Sequence, residues 1–173
     1  MPGLRDKSIM SLSIRIEYDS ITPDLKAKAA TCANPSPIWR AVGTQVVSLT
    51  KRSFREPSLR ITSWKEKRDG SASNLIQKGM LMSSIRIVSV TADSVTVGSD
   101  RKYAAIHQLG GIIKAKGKGL SFTVGGKHFI VKQVKIPARP FFPFTPDGAV
   151  AAKHEAKIGA IVDKAVAKEL GAK

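Results

Sequence analysis

Between Ser121 and Val131 the chain reads SFTVGGKHFIV, two β-rich runs separated by Gly125-Gly126. Both glycines tolerate positive φ, so the pair specifies a two-residue hairpin turn. The turn fixes the register. Phe122 faces Phe129 and Leu120 faces Val131, which gives the hairpin one apolar face. The stretch before it, KAKGKG (Lys114 to Gly119), is basic and flexible. Any fold of this chain must accommodate that hairpin.

The hairpin lies in the most charged part of the sequence. The 173 residues carry a formal net charge of +16, with a pI near 10.3. From Arg101 to Arg139 the basic residues are Arg101, Lys102, Lys114, Lys116, Lys118, Lys127, Lys132, Lys135 and Arg139, with no Asp or Glu among them. Such a field implies a polyanionic partner: nucleic acid, an acidic protein surface or a membrane face. The plain alternative is a solvated face, and the charge pattern alone weighs the two evenly.

The other elements follow from periodicity. SLSIRIEYDS (Ser11 to Ser20) alternates Leu12, Ile14, Ile16 and Tyr18 against Arg15, Glu17 and Asp19, a half-buried strand. Residues 1–10 read as a loose N-terminal arm. Thr22-Pro23-Asp24 starts a helix through Leu25 to about Ala33, and Ser36-Pro37 starts a second with Ile38, Val42, Val46 and Leu49 on one face and Trp39 beside it. The Pro break leaves open a helical hairpin or a kinked pair. Lys51 to Ser73 reads as a long loop anchored by Phe54 and Trp64. Asn74 to Ser84 looks helical. Arg86–Val90 and Ser94–Val97 form a hairpin about Thr91-Ala92-Asp93, ending at Gly98. Tyr103 to Leu109 is a helical turn stopped by Gly110-Gly111. Thr145-Pro146-Asp147 starts a last helix whose stripe is Val150, His154, Ile158, Ile161, Val162, Ala165 and Val166, with Gly171 as its stop.

Chemistry finds little support. His107, His128 and His154 are far apart and lack cysteine or acid at ligand spacing, so no metal site is expected. The sole cysteine, Cys32, cannot form an internal disulfide and suits a reducing compartment. A Cys32–His107 nucleophile pair is formally possible, but Cys32 in an Ala-rich helix reads as a small buried residue. His154 reads as a core or interface histidine. Phosphate-loop and dinucleotide-fingerprint spacings are absent. No catalytic residue and no cofactor is expected. Apolar runs fall short of the roughly 20 residues a membrane span needs, and Arg5 and Lys7 precede no apolar signal core, so no membrane partner is expected. The length suits a single domain with its own core.

Two motifs flank the basic hairpin: YAAIHQLGG (Tyr103 to Gly111) and IPARPFFP (Ile136 to Pro143). A Trp64-containing loop, LIQKGMLMSSI (Leu75 to Ile85), a hairpin ending VTVGS (Val95 to Ser99), the two motifs and a closing helix follow in order. This arrangement resembles the phage virion morphogenesis family, the tail-completion proteins of Mu-like and related contractile-tailed phages. It is more distantly similar to the head–tail joining proteins of long-tailed siphophages. The resemblance covers roughly Ile14 to Leu170. Lys78-Gly79-Met80-Leu81 stands where the family tends to have a Gly–Leu step, and the loop after Phe54 is also atypical.

The expected fold is α+β. A small antiparallel sheet (the N-terminal strand, the 86–97 hairpin and a strand near Val134–Ile136) is packed by helices, with residues 111–132 as a projecting basic β-hairpin and a C-terminal helix. Residues 1–173 form one domain. The resemblance implies a virion structural protein assembled in the host cytoplasm. It would be a homo-oligomeric ring, hexameric, between head connector proteins and the tail tube or terminator proteins, with packaged DNA in its lumen. The alternatives are a sequence-independent nucleic-acid-binding module and, weakest, an enzyme. Candidate interface or DNA-facing residues are Lys114, Lys116, Lys118, Lys127, Arg139, Tyr103 and His107. Tyr103 has a polar tip that can cross an interface. His107 can cap or bond a neighbouring loop. Arg139, between Pro137 and Pro140, can make a bidentate carboxylate contact across subunits. Phe141 and Phe142 are better placed in the core.

Overall fold

The computed structural model describes residues 34–67, 70–124, 126–145 and 148–169, and the backbone of residues 12–17. The expected N-terminal arm, the expected helix of residues 22–33 with Cys32, Tyr18, Gly125, the Pro146-Asp147 step and Gly171 lie outside the described residues.

The fold is α+β. Strands β1 (Leu12–Glu17), β2 (Arg86–Val90) and β3 (Ser94–Ser99) form an antiparallel sheet of order β1-β3-β2. Val95 and Val97 of the central strand are fully buried. Helix α1 (Ser36–Ser53) lies on this sheet with Ile38, Trp39, Val42, Val46 and Leu49 buried, the face its spacing predicts. The approach is close: a Cβ added to Gly43 would stand 2.6 Å from Val95 Cγ2. The Trp39 indole N–H donates to the Ala92 carbonyl in the β2–β3 turn at 3.0 Å. A bulge between Ile87 and Ser89 leaves Val88 exposed on the edge strand.

Helix α4 (Ala152–Glu169) closes the core with His154, Ile158, Val162 and Val166 buried. It begins later than the Thr145 start signal predicts. The Thr145 amide and hydroxyl instead donate to the Ala149 carbonyl at 2.9 and 3.0 Å, and Phe144 bridges to Val150. Those contacts tie Thr145 and Phe144 to the residues just before α4, at the point where the start signal predicts helix.

The expected helix over 74–84 is likewise shorter. Only α2 (Met80–Ser84) is helical. The Asn74 side chain accepts the Ile76 amide at 3.1 Å, an Asx-type turn that competes with helix. Leu75 (φ 55) and Gly79 (φ 67) are left-handed, so a right-handed helix starts only after Gly79.

The 51–73 loop is pinned as its anchors suggest. Phe54 and Trp64 meet edge-on at 5.9 Å, and Phe54 also packs on Phe141 at 5.3 Å. Arg60 lies 3.9 Å over the Trp64 ring and donates to the Ser53 carbonyl at 2.8 Å, capping α1.

The strand at 133–136 departs from expectation. It does not join the main sheet, whose central strand is already paired on both sides. As β7 (Gln133–Ile136) it pairs with β4 (Gly111–Lys114). That partner is nearer in sequence and closes a smaller loop. Beyond it, β5 (Leu120–Val124) and β6 (Lys127–Val131) pair in the predicted register, Leu120 with Val131 and Phe122 with Phe129. The two ladders make one long two-stranded arm, residues 111–136.

Candidate functional site

The arm grows from the junction of the two motifs. Helix α3 (Ala104–Leu109) is the helical part of YAAIHQLGG. It ends at Gly110 (φ 71), where an added Cβ would meet the Ala138 amide nitrogen at 2.7 Å. No other residue satisfies both the left-handed backbone and that approach. The returning chain enters IPARPFFP against α3. The Arg139 amide donates to the His107 carbonyl at 2.7 Å, and the Gln108 Oε1 accepts the Phe141 and Phe142 amides at 2.9 and 3.2 Å. The Ser53 hydroxyl lies 2.9 Å from the Phe141 carbonyl, and the Trp64 indole donates to the Pro140 carbonyl at 2.9 Å. Prolines keep this segment out of a strand ladder, and side chains satisfy its backbone instead. Phe141 and Phe142 are buried in the core.

Arg139 is therefore placed differently from its expected role. It is buried, and its Nε and Nη2 donate to the Lys65 carbonyl at 3.2 and 3.0 Å. The guanidinium ties the root of the arm to the 54–67 loop of its own chain.

Tyr103, the residue that leads into α3, and His107 within it stand one turn apart, rings edge-on at 5.9 Å. With Leu75, Lys78 and Met80 they line an open cleft of about 610 Å³. Burial, and then the Arg139 charge, hold the His107 imidazole below its ordinary pKa, so it is neutral near pH 7. Its Nδ1 is buried without a hydrogen-bond partner among the described residues. His154 Nε2 bonds the Leu59 carbonyl at 2.9 Å within the core, and His128 sits on the arm beside Ser121 at 3.2 Å. The three histidines are thus apart. Among the described residues no group of His, Cys, Asp and Glu could hold a metal ion, and no helix is long and apolar enough to cross a membrane.

Lys114, Lys116, Lys118 and Lys127 all lie on the arm and are exposed. The structure groups them with Lys132 and Lys135, and separates them from Tyr103, His107 and Arg139 at the root. Among the described residues none of the six lysines has an ion-pair partner. Register sorts the root half of the arm. Ile112, Lys114, Gln133 and Lys135 share one face, and Ile113, Val134 and Ile136 the other. Between the ladders, residues 115–119 bulge out opposite Lys132 alone, whose ammonium donates to the Lys118 carbonyl at 3.2 Å. Ile112 (53% exposed) and Ile130 (66% exposed) stand in solvent amid this charge. Two contributors carry little signal in the sequence: the Gln108 clamp, and these exposed isoleucines, which sit in short apolar runs (Ile112-Ile113 and Phe129-Ile130-Val131) that read as buried strand.

The phage virion morphogenesis family model matches residues 16–166. The chain belongs to the phage virion morphogenesis family. It is also similar to the Mu-like prophage FluMu G protein 2 of Haemophilus influenzae, 31% identical over 136 residues, which span 77% of this chain and 86% of that protein. No solved structure gives a significant match. Membership carries a role in building the phage particle. Both motifs fall inside the matched span and form its internal junction.

Proposed function

We propose that the chain is a structural protein of the head–tail joint that completes the tail and lets it join the DNA-filled head. It works as a homo-oligomeric ring, hexameric, between the head connector and the tail tube or terminator proteins. It assembles in the host cytoplasm and acts at the neck of the virion. Its action is assembly rather than catalysis. Family membership and the likeness to a Mu-like prophage protein support a particle-building role.

The observation that carries the reading is the arm. A two-stranded ribbon is marginal in water by itself. This one exposes every residue of β4 and keeps Ile112, Ile113, Phe129 and Ile130 at least one-third in solvent. Such a surface is completed by neighbours in an assembly. The test is deletion of the gene from the phage, with electron microscopy of the lysate. Filled heads and tails that stay separate are expected, along with rings in the purified protein. Normal virions from the deletion would refute it.

A further inference from the structure

We infer that the arm binds duplex DNA through its phosphates, without reading sequence. This names a partner for the lysines of the arm and leaves its exposed apolar residues to protein neighbours. It rests on the head–tail reading only in taking the DNA that crosses the joint as the polyanion met.

Six exposed lysines, Lys114, Lys116, Lys118, Lys127, Lys132 and Lys135, occupy the 111–136 ribbon with no carboxylate among them. Their charge is uncompensated within the described residues. Nine residues of paired strand span roughly 30 Å. Duplex DNA presents about one negative charge per 1.7 Å, ample for all six. A two-stranded β-ribbon also fits the width of the major groove.

Composition favours DNA over an acidic protein. Protein interfaces are enriched in Arg and depleted in Lys at their centres, whereas the arm has six Lys and no Arg. Lysine acts as a flexible point charge suited to phosphate. The same composition excludes base reading. Arg and Asn, which make the commonest bidentate base contacts, are absent, and Gln occurs once, as Gln133. Single strands are disfavoured because Phe122 and Phe129 stack on each other at 5.9 Å. The pair commits one face of each ring, which leaves no series of platforms for successive bases.

The test uses the purified full chain and fluorescein-labelled 30-base-pair duplexes of two unrelated sequences, read by anisotropy from 50 to 200 mM NaCl. Equal affinity for the two duplexes is expected, with a log–log salt slope of about −5 for one engaged arm, roughly a thousandfold loss over that range. Replacing Lys114, Lys116, Lys118 and Lys127 together by Ala should flatten the slope by about 3 to 4. The same four changed to Arg should preserve it. Unchanged melting curves confirm that both variants fold. A slope shallower than −1, wild-type binding by the Ala variant, or tighter binding to polyglutamate than to duplex overturns the inference. Joining is read separately, by mixing purified heads and tails: joining by a protein that fails to bind duplex sinks the DNA contact alone, while normal virions from the gene deletion sink the joint reading alone.

Discussion

The Gln108 side-chain oxygen accepts the Phe141 amide N–H at 2.9 Å, and through the same atom the Phe142 amide at 3.2 Å. One side chain therefore satisfies two backbone donors in a buried segment that has no strand partner. It also joins the two motifs that flank the arm.

Removing that acceptor should be costly. Gln108→Ala leaves two buried N–H groups unpaired, at about 1–3 kcal/mol each before relaxation. Urea unfolding should show a loss of roughly 2–4 kcal/mol, and hydrogen exchange should show lost protection at Phe141 and Phe142. Gln108→Glu, which keeps an acceptor, should lose less. Equal stability of the Ala variant would disprove the clamp.

Arg139 tests an internal against an external role. Its contact to the Lys65 carbonyl lies within one chain, so Arg139→Ala should destabilise the monomer by about 1.5–3 kcal/mol even at high dilution. An effect seen only in the assembled oligomer would favour a cross-subunit contact.

Gly110→Ala combines a left-handed φ of 71 with a Cβ only 2.7 Å from the Ala138 nitrogen. The strain should amount to roughly 1–3 kcal/mol. Limited proteolysis should then cut faster at the root of the arm.

Acid should destabilise the fold as pH falls below the ordinary histidine value of about 6.5. Burial is the main cause that lowers the His154 pKa, opposed by the Leu59 carbonyl and reinforced by Lys153 and Lys157. His107 is lowered by burial and then by Arg139. A depressed folded pKa means the unfolded chain takes up protons first. The contribution is therefore full above the unfolded value of about 6.5 and is lost as pH falls through the folded pKa. Melting temperature should fall between pH 7 and 5. His154→Gln and His107→Gln should each flatten that fall, and the double variant should flatten it most.

Much of this fold is legible locally. The Gly125-Gly126 turn and its alternation set the β5–β6 register, because a two-residue turn leaves one pairing. The apolar spacing from Ile38 to Leu49 marks the buried face of α1. Phe54 and Trp64 stand out as the aromatic residues of a polar loop. What escaped depends on partners that carry no sequence signature. Arg139 and its acceptor are 74 residues apart, and that acceptor is a backbone carbonyl, which any residue could supply. Gln108 meets amides 33 and 34 residues away. In the 74–79 segment, side-chain capture of the Ile76 amide and a left-handed Gly79 outweigh helix propensity.

The socket at Gln108, Gly110 and Arg139 holds both ends of the arm without using any residue from 112 to 135. The bulge at 115–119 already accommodates four residues more than a plain ladder needs. The arm is thus an exchangeable part on a fixed mount. Its length and charge can drift as the particle around it diverges, while the mount keeps the body intact. A graft that replaces 112–135 with a tight turn should fold, and it would yield an armless chassis onto which the arms of relatives can be transplanted and compared.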